Sequence, residues 1–317
     1  MIRTKKKIFL FFFLILTILV GLDTLFQFFF GYDIFGKKAF TEYSRLTGPF
    51  SEEIVGHFLL NFGILSLALF SFYHQIGNFF KFSFIVFIIF LIFLTGERNS
   101  FYSSVILFIF LAIFCTKNRL LSVLILITVF ILFYTSTKIF KIQSHKYTLE
   151  AIQTVNDPQL NDNKIVISKK LNKFEKFQFI LSNNQWFMHF NAATQIFISN
   201  KIIGSGFKTF RYECLELDIA NKKILCSAHP HNIYFEIISD LGVLGLIFFF
   251  LIISFFIFYF FRKKVYRSYE KSIIIGLFFV YIFPFKPHGS LFSTNFASLL
   301  FFLASISYYY IFHNEKN

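Results

Sequence analysis

The stretch GVLGLIFFFLIISFFIFYFF, residues 242–261, runs directly into RKKVYRSYEK, residues 262–271. An uncharged apolar run of this length spans a hydrocarbon core as one helix. The cluster of Arg262, Lys263, Lys264, Arg267 and Lys271 that ends it fixes the direction of crossing, because short basic segments stay in the cytoplasm. Similar apolar runs recur outward in both directions, at about residues 8–25, 54–73, 79–94, 101–114, 120–137, 273–285 and 292–312.

Composition agrees with that pattern. The chain has 317 residues, of which 56% are hydrophobic, 55 are Phe and only 15% are charged. Soluble domains carry about 25% charged residues. The expected fold class is an all-α polytopic membrane protein with about eight transmembrane helices and one long periplasmic loop containing short helices. The parts are residues 1–137 with helices 1–5, residues 138–241 as the loop, and residues 242–317 with helices 6–8. The net charge of +14 lies mostly in short segments between spans. It is therefore an orientation signal and excludes a nucleic-acid footprint.

The N-terminal MIRTKKK resembles the start of a signal peptide, but the apolar run after it is too long and no small-residue cleavage site follows. An uncleaved first span is expected, with both termini cytoplasmic. Counting spans from there places the TGERNS turn (residues 95–100), the long loop and the KPHGS segment (residues 286–290) outside the cytoplasm. The loop begins polar and rich in Lys and Asn, through Lys176. It then shows Trp186, Phe187, Phe190, Ala193, Ile196 and Phe197 at near-helical spacing. Gly204 and Gly206 break that helix. Cys214 and Cys226 share the loop. On an oxidising face they are candidate disulfide partners, and otherwise two free thiols.

The loop ends in HPHNIYFEIISDLGVLG, residues 229–245. His229, His231 and Asn232 stand at the mouth of a membrane helix, where polar groups are costly unless they face protein or water. That placement reads either as a site or as an interfacial loop whose histidines cap the next helix. A His-x-His pair also suits a metal, but no third ligand lies at a diagnostic spacing. His189 within the loop helix reads as structural. Arg98, in the turn between two apolar helices, needs an anion. That anion is a diphosphate in the functional reading, and otherwise Glu97, another loop carboxylate or a lipid phosphate.

The 229–245 stretch resembles the histidine signature of the O-antigen ligase and O-antigen polymerase family of bacterial membrane glycosyltransferases. That signature is His, then Asn, Ser or Gln, nine residues, and Gly-x-x-Gly, Thr or Tyr. His231 and Asn232 open it, and Gly242 and Gly245 close it. Thr95-Gly96-Glu97-Arg98 resembles the family's Thr-Gly-x-Arg element, and Gly204-Ser205-Gly206 its Gly-x-Gly element. The resemblance implies His231 as base or orienter for an acceptor hydroxyl, and Arg98 as a grip on the donor's diphosphate. His229, two residues earlier, either binds substrate or simply hydrogen-bonds the backbone, and Asn232 is a candidate substrate contact. The family needs no metal, and no cofactor is expected. Family members carry an arginine just before the loop-helix tryptophan; here Asn183, Asn184 and Gln185 occupy that region. Lys208 or Arg211 is left to supply the charge.

The implied reaction inverts an anomeric centre. A polyprenyl-diphosphate-linked glycan donor would pass its glycan to lipid A-core or a growing glycan acceptor, at the bilayer surface. Polymerisation of the same glycan is the close alternative, because the signature does not separate the two. A transporter of lipid-linked or anionic solutes would place ionisable residues deep within spans. Here they are nearly absent, with Asp23 and His57 near span ends the main exceptions. A non-catalytic assembly partner would tolerate loss of Arg98 and His231.

Overall fold

The computed structural model describes residues 2–38, 45–140, 185–218 and 224–313. The polar first half of the expected long loop therefore lies largely outside the described residues. Those residues are helical and contain no strand; one isolated bridge joins Tyr32 and Lys38. The helices are α1 (Ile2–Phe30), α2 (Val55–His74), α3 (Asn78–Leu94), α4 (Arg98–Phe114) and α5 (Arg119–Phe140), then α6 (Gln185–Ser199), α7 (Phe210–Asp218), α8 (Ile233–Arg262), α9 (Tyr269–Tyr281) and α10 (Thr294–Phe312).

Four of these are long and apolar enough to cross a membrane: Ile8–Phe30 within α1, and α2, α8 and α10. The other expected spans fall on shorter apolar helices. Helices α3 and α4 have 17 residues each and α9 has 13, against about 20 for a perpendicular crossing. Helix α8 carries apolar side chains that no protein covers; Phe248 is 67% exposed. An uncovered apolar surface of this extent is stable in lipid, not in water.

The chain folds as two compact units. Unit 1 comprises Met1–Asn161, Lys263–Tyr281 and Tyr309–Asn317; unit 2 comprises Asp162–Arg262 and Ile282–Tyr308.

In unit 1, α2 is the inner helix, with Leu59, Ile64 and Leu65 fully buried against its neighbours. One turn of it, Leu59–Gly63, is π-helical. Small residues let the helices close up: a Cβ on Gly21 of α1 would meet Leu91 Cδ1 at 2.7 Å, and one on Gly276 of α9 would meet Leu107 Cδ1 at 2.7 Å. Lys81 of α3, an ionisable residue inside an expected span, is buried beside Glu270 of α9 at 2.5 Å, and Ser71 Oγ donates to the same carboxylate oxygen at 3.0 Å. The pair neutralises both charges and pins α2, α3 and α9 together.

Unit 2 has its own small core. Ala192, Ala193 and Ile196 of α6 pack on Phe210 and Cys214 of α7 and on Ile224. A disulfide joins Cys214 to Cys226 across twelve residues of chain, at the edge of that core. In the chain-entropy view such a loop restricts the unfolded chain by about 3 kcal/mol.

Candidate active site

The expected sixth span starts at Gly242, but the helix starts earlier. Helix α8 begins at Ile233 and is broken at Gly242, whose backbone (φ 63, ψ −160) is not helical. A break leaves carbonyls before it and amides after it without helical partners. Here the 201–206 segment supplies those partners. Ser205 N and Gly206 N donate to the carbonyls of Ser239 and Asp240 at 2.9 and 3.0 Å. Val243 N and Leu244 N donate to those of Lys201 and Ile202 at 2.9 and 3.2 Å.

This close approach explains the glycines of both motifs. A Cβ on Gly242 would lie 2.4 Å from the Ile202 carbonyl oxygen, and one on Gly204 (φ +73) would lie 2.3 Å from the Asp240 carbonyl carbon. Both positions also have positive φ, and Gly242 sits where essentially only glycine goes, a conformation that costs a Cβ-bearing residue about 1–3 kcal/mol. Gly245 is needed because the break folds Leu241 back over it, 2.3 Å from where its Cβ would be. Gly206 has φ +122.

The nine-residue spacer between histidine and glycine is the first part of α8, and both its carboxylates are buried. Asp240 accepts the amides of Lys208 and Phe210 at 3.0 and 3.2 Å and so caps α7. Glu236 accepts the Leu291 amide at 2.6 Å and the Ser290 hydroxyl.

Asn232 caps α8: its Oδ1 accepts the amides of Tyr234 and Phe235 at 3.0 and 3.4 Å. Its Nδ2 donates to the carbonyls of Pro284 and Lys286 at 2.8 and 3.4 Å. The side chain is buried, and both its amide nitrogen and its oxygen are engaged within the fold. The helix cap is this asparagine, not either histidine.

His231, just ahead of the cap, has left-handed backbone (φ 56). Non-glycine residues held there mark functional positions more often than chance. Its ring meets three others: His229 at 4.3 Å, His189 at 5.0 Å, and Trp186 edge-on at 5.3 Å between centroids. His189 is therefore part of the cluster that the sequence left aside. His288 donates its amide to the His231 carbonyl at 2.8 Å, and the His229 Nε2 lies 3.3 Å from the His288 carbonyl. Among the described residues no group of three or more His, Cys, Asp or Glu side chains is arranged to hold a metal ion.

All three imidazoles are pushed below the ordinary histidine range. Burial depresses His189, against a hydrogen bond to the Leu225 carbonyl. Burial also depresses His229, against the His288 carbonyl. His231 is lowered to about 4, by burial first and then by the neighbouring His229 and His189. Burial makes each charged form costly, and at His231 the neighbouring imidazoles add to it. The neutral ring persists far into acid. Because the folded value is depressed, the unfolded chain takes the proton first. The stability that the neutral ring contributes is intact above about pH 6.5 and drains away as the pH falls toward 4. Trp186 is the only tryptophan, and a protonated imidazole against its edge quenches it. Its emission should titrate with a midpoint near pH 4, and His231→Ala should remove that transition; a midpoint near 6.5 would contradict the packing described.

Lys208 and Arg211 are exposed, and their charged ends rest over Phe207 and Tyr212, each 5.8 Å from the ring centre. Among the described residues no contact brings either to the imidazoles.

In unit 1, Thr95 ends α3 and Gly96 (φ +71) turns the chain. Glu97 does not pair with Arg98. It accepts the His57 amide at 2.9 Å and the Ser100 hydroxyl at 2.7 Å, capping the first turn of α2 from another element. Burial raises its carboxyl above the ordinary range, against the Ser100 and His57 bonds. Arg98 opens α4, half-buried, and forms no salt bridge among the described residues. Leu46 N donates to the Thr95 carbonyl at 3.1 Å, so the segment carrying Arg45 runs beside this turn. Arg45 itself pairs with Glu53 at 3.1 Å.

A family model described as O-antigen ligase matches residues 83–250, more than half of the chain. The chain belongs to the O-antigen ligase family. The matched range holds the Thr95–Arg98 turn, both Gly elements and the histidine signature. No curated protein and no solved structure matches the chain. Membership in the O-antigen ligase family and helices of spanning character make this a bacterial membrane protein of glycosyltransferase or ligase type. Its partners are a lipid-linked glycan and an acceptor.

The sequence did not disclose the Pro284–Leu291 segment as part of the site. Five of its residues tie to the stretch 229–236: Pro284, Lys286, His288, Ser290 and Leu291. The signals were two prolines, a histidine and a serine in a short link between apolar runs.

Proposed function

We propose that this O-antigen ligase family member transfers a polyprenyl-diphosphate-linked glycan onto lipid A-core or a similar acceptor, on the periplasmic face of the inner membrane. The observation that carries the reading is His231, held in left-handed backbone at the head of α8 with its ring against His229, His189 and Trp186. A neutral imidazole accepts the hydrogen bond of an acceptor hydroxyl and takes its proton as the new bond forms. The hydroxyl oxygen attacks the anomeric carbon, the carbon–oxygen bond to the diphosphate breaks, and the configuration inverts. The leaving diphosphate keeps the electron pair, and Arg98, with no carboxylate partner among the described residues, is assigned to stabilise it. The reaction needs no metal in this reading. The proposed topology keeps eight spans and both termini cytoplasmic, with a lipid donor remaining in the bilayer while its head group reacts.

Complementation tests this in a bacterium lacking its own surface-polysaccharide ligase. Wild type should produce glycan-loaded lipid A-core, and Arg98→Ala, at matched membrane level, should lower it about 10²–10³-fold. Arg98→Lys should recover part of that, since it keeps the charge and loses the fork. Lengthened lipid-linked glycan without transfer to core would reassign the protein as the polymerase. Full activity of Arg98→Ala would remove the diphosphate role.

A further inference from the structure

Lys208 and Arg211 stand apart from the histidine cluster, on a part of unit 2 whose surface is unlike that of a water-facing loop. Ile202 and Ile203 are 68% and 71% exposed, and Phe207 and Tyr212 are exposed beside them in sequence. Phe207 leans on Phe292 with ring centres 4.2 Å apart. The charged ends of Lys208 and Arg211 lie over the Phe207 and Tyr212 rings, and neither forms a salt bridge among the described residues. Apolar side chains gathered and uncovered in one segment mark a contact surface.

The interlock with α8 decides what that surface meets. Val243 and Leu244 donate their amides to the carbonyls of Lys201 and Ile202. The segment is therefore fastened where α8 begins its uncovered apolar run, with Leu244, Ile247 and Phe248 all exposed. Its own backbone asks little of water. The amides of Gly204, Ser205, Gly206, Lys208, Thr209 and Phe210 donate to carbonyls or to the Asp240 carboxylate within unit 2. Irregular backbone enters a low-polarity medium only when its polar groups are paired in this way. Lys and Arg suit the same depth, because their stems lie on apolar surface while their heads reach out to phosphate. We infer that residues 201–212 form a wedge in the bilayer interface, with Ile202, Ile203 and Phe207 among acyl chains and Lys208 and Arg211 on the phosphates of anionic phospholipids. The wedge sets the depth at which the break in α8 sits. The inference needs α8 to cross the membrane, and it stands whether or not the protein transfers a glycan.

Cys214 and Cys226 are joined, and Cys115, the third cysteine of the chain, is buried. Ile203→Cys therefore places an accessible thiol on the wedge. The full chain would carry a nitrobenzoxadiazole label there, in nanodiscs of phosphatidylcholine and phosphatidylglycerol, with Ile247→Cys on the exposed face of α8 as the lipid-facing reference. Lipids spin-labelled high on the acyl chain are expected to quench position 203 about as well as position 247, and aqueous iodide to quench it weakly. A spin label carried by phosphatidylglycerol should act more strongly at 203 than the same label on phosphatidylcholine, an enrichment of about fivefold at low salt. Lys208→Gln combined with Arg211→Gln should remove that preference while both lipids still quench, because the apolar side chains remain. All the substituted side chains are exposed, so the protease pattern should match wild type. Strong iodide quenching at 203 without lipid quenching would put the segment in water and overturn the wedge. Protection from both quenchers would overturn it as well, in favour of cover by this chain or a second copy. Equal quenching by the two spin-labelled lipids in the otherwise unaltered chain would overturn the phosphate contact.

Discussion

Gly242→Ala is expected to collapse unit 2 locally and abolish transfer, although the substitution adds one methyl group. The backbone at Gly242 (φ 63, ψ −160) is one that alanine adopts only at a cost of about 1–3 kcal/mol. The new Cβ would also stand 2.4 Å from the Ile202 carbonyl oxygen and 2.5 Å from the Gly204 amide. Both obstacles are backbone, and they cannot step aside without stretching the Val243–Lys201 and Leu244–Ile202 hydrogen bonds. At about 0.5–1.5 kcal/mol per bond, the total reaches about 2–6 kcal/mol. Limited proteolysis should show earlier cleavage around 200–245 than in wild type. Gly77→Ala is the contrast: its backbone (φ −64) suits any residue and nothing lies within 4 Å of the added carbon. It should be neutral. Equal behaviour of the two variants would contradict the interlock between the Gly-x-Gly segment and the break in α8.

His231→Ala should leave the fold in place and reduce kcat about 10²–10⁴-fold, the usual worth of a positioned proton acceptor. The ring is half-buried and its backbone bonds survive truncation, so membrane level and protease pattern should match wild type. Because His231 sits near 4, it is a weak base and takes the proton late, as the attacking oxygen becomes acidic. Holding the hydroxyl in line therefore contributes beside proton transfer. His231→Gln keeps an acceptor but cannot take a proton. It should recover about tenfold over alanine, the worth of one hydrogen bond, and stay well below wild type. Initial rates at saturating donor across the three forms decide this. Glutamine at the wild-type rate would make His231 an orienter only.

Much of this was legible in the chain because it depends on local pattern. The run 242–261 announces a membrane helix by length and lack of charge, and His231, Asn232, Gly242 and Gly245 point to a candidate site through their resemblance to the family's signature. The rest depends on pairings distant in sequence. Nothing near Gly242 says that residues 201–206 will bond across the break, so the glycines were readable but their reason was not. Asn232 is a polar residue beside a histidine in either reading. Only the carbonyls of Pro284 and Lys286, some fifty residues away, make it a brace. His189 looked structural because its contact with His231 crosses from one helix to another. Lys81 escaped notice inside an apolar run because its partner, Glu270, lies 189 residues on. Glu97 likewise spends its carboxylate on α2 instead of on the adjacent Arg98.

The central claim is that His231 serves glycan transfer from a lipid diphosphate, and one assay addresses it most directly. Purified protein in nanodiscs would be given a defined polyprenyl-diphosphate-linked oligosaccharide and lipid A-core acceptor, and the product followed by gel shift and mass spectrometry. Wild type should form glycosylated acceptor and release polyprenyl diphosphate in equal amounts, with chelator present or absent. His231→Ala at equal protein should form neither above about one hundredth of that rate. Undiminished transfer by His231→Ala would contradict the account.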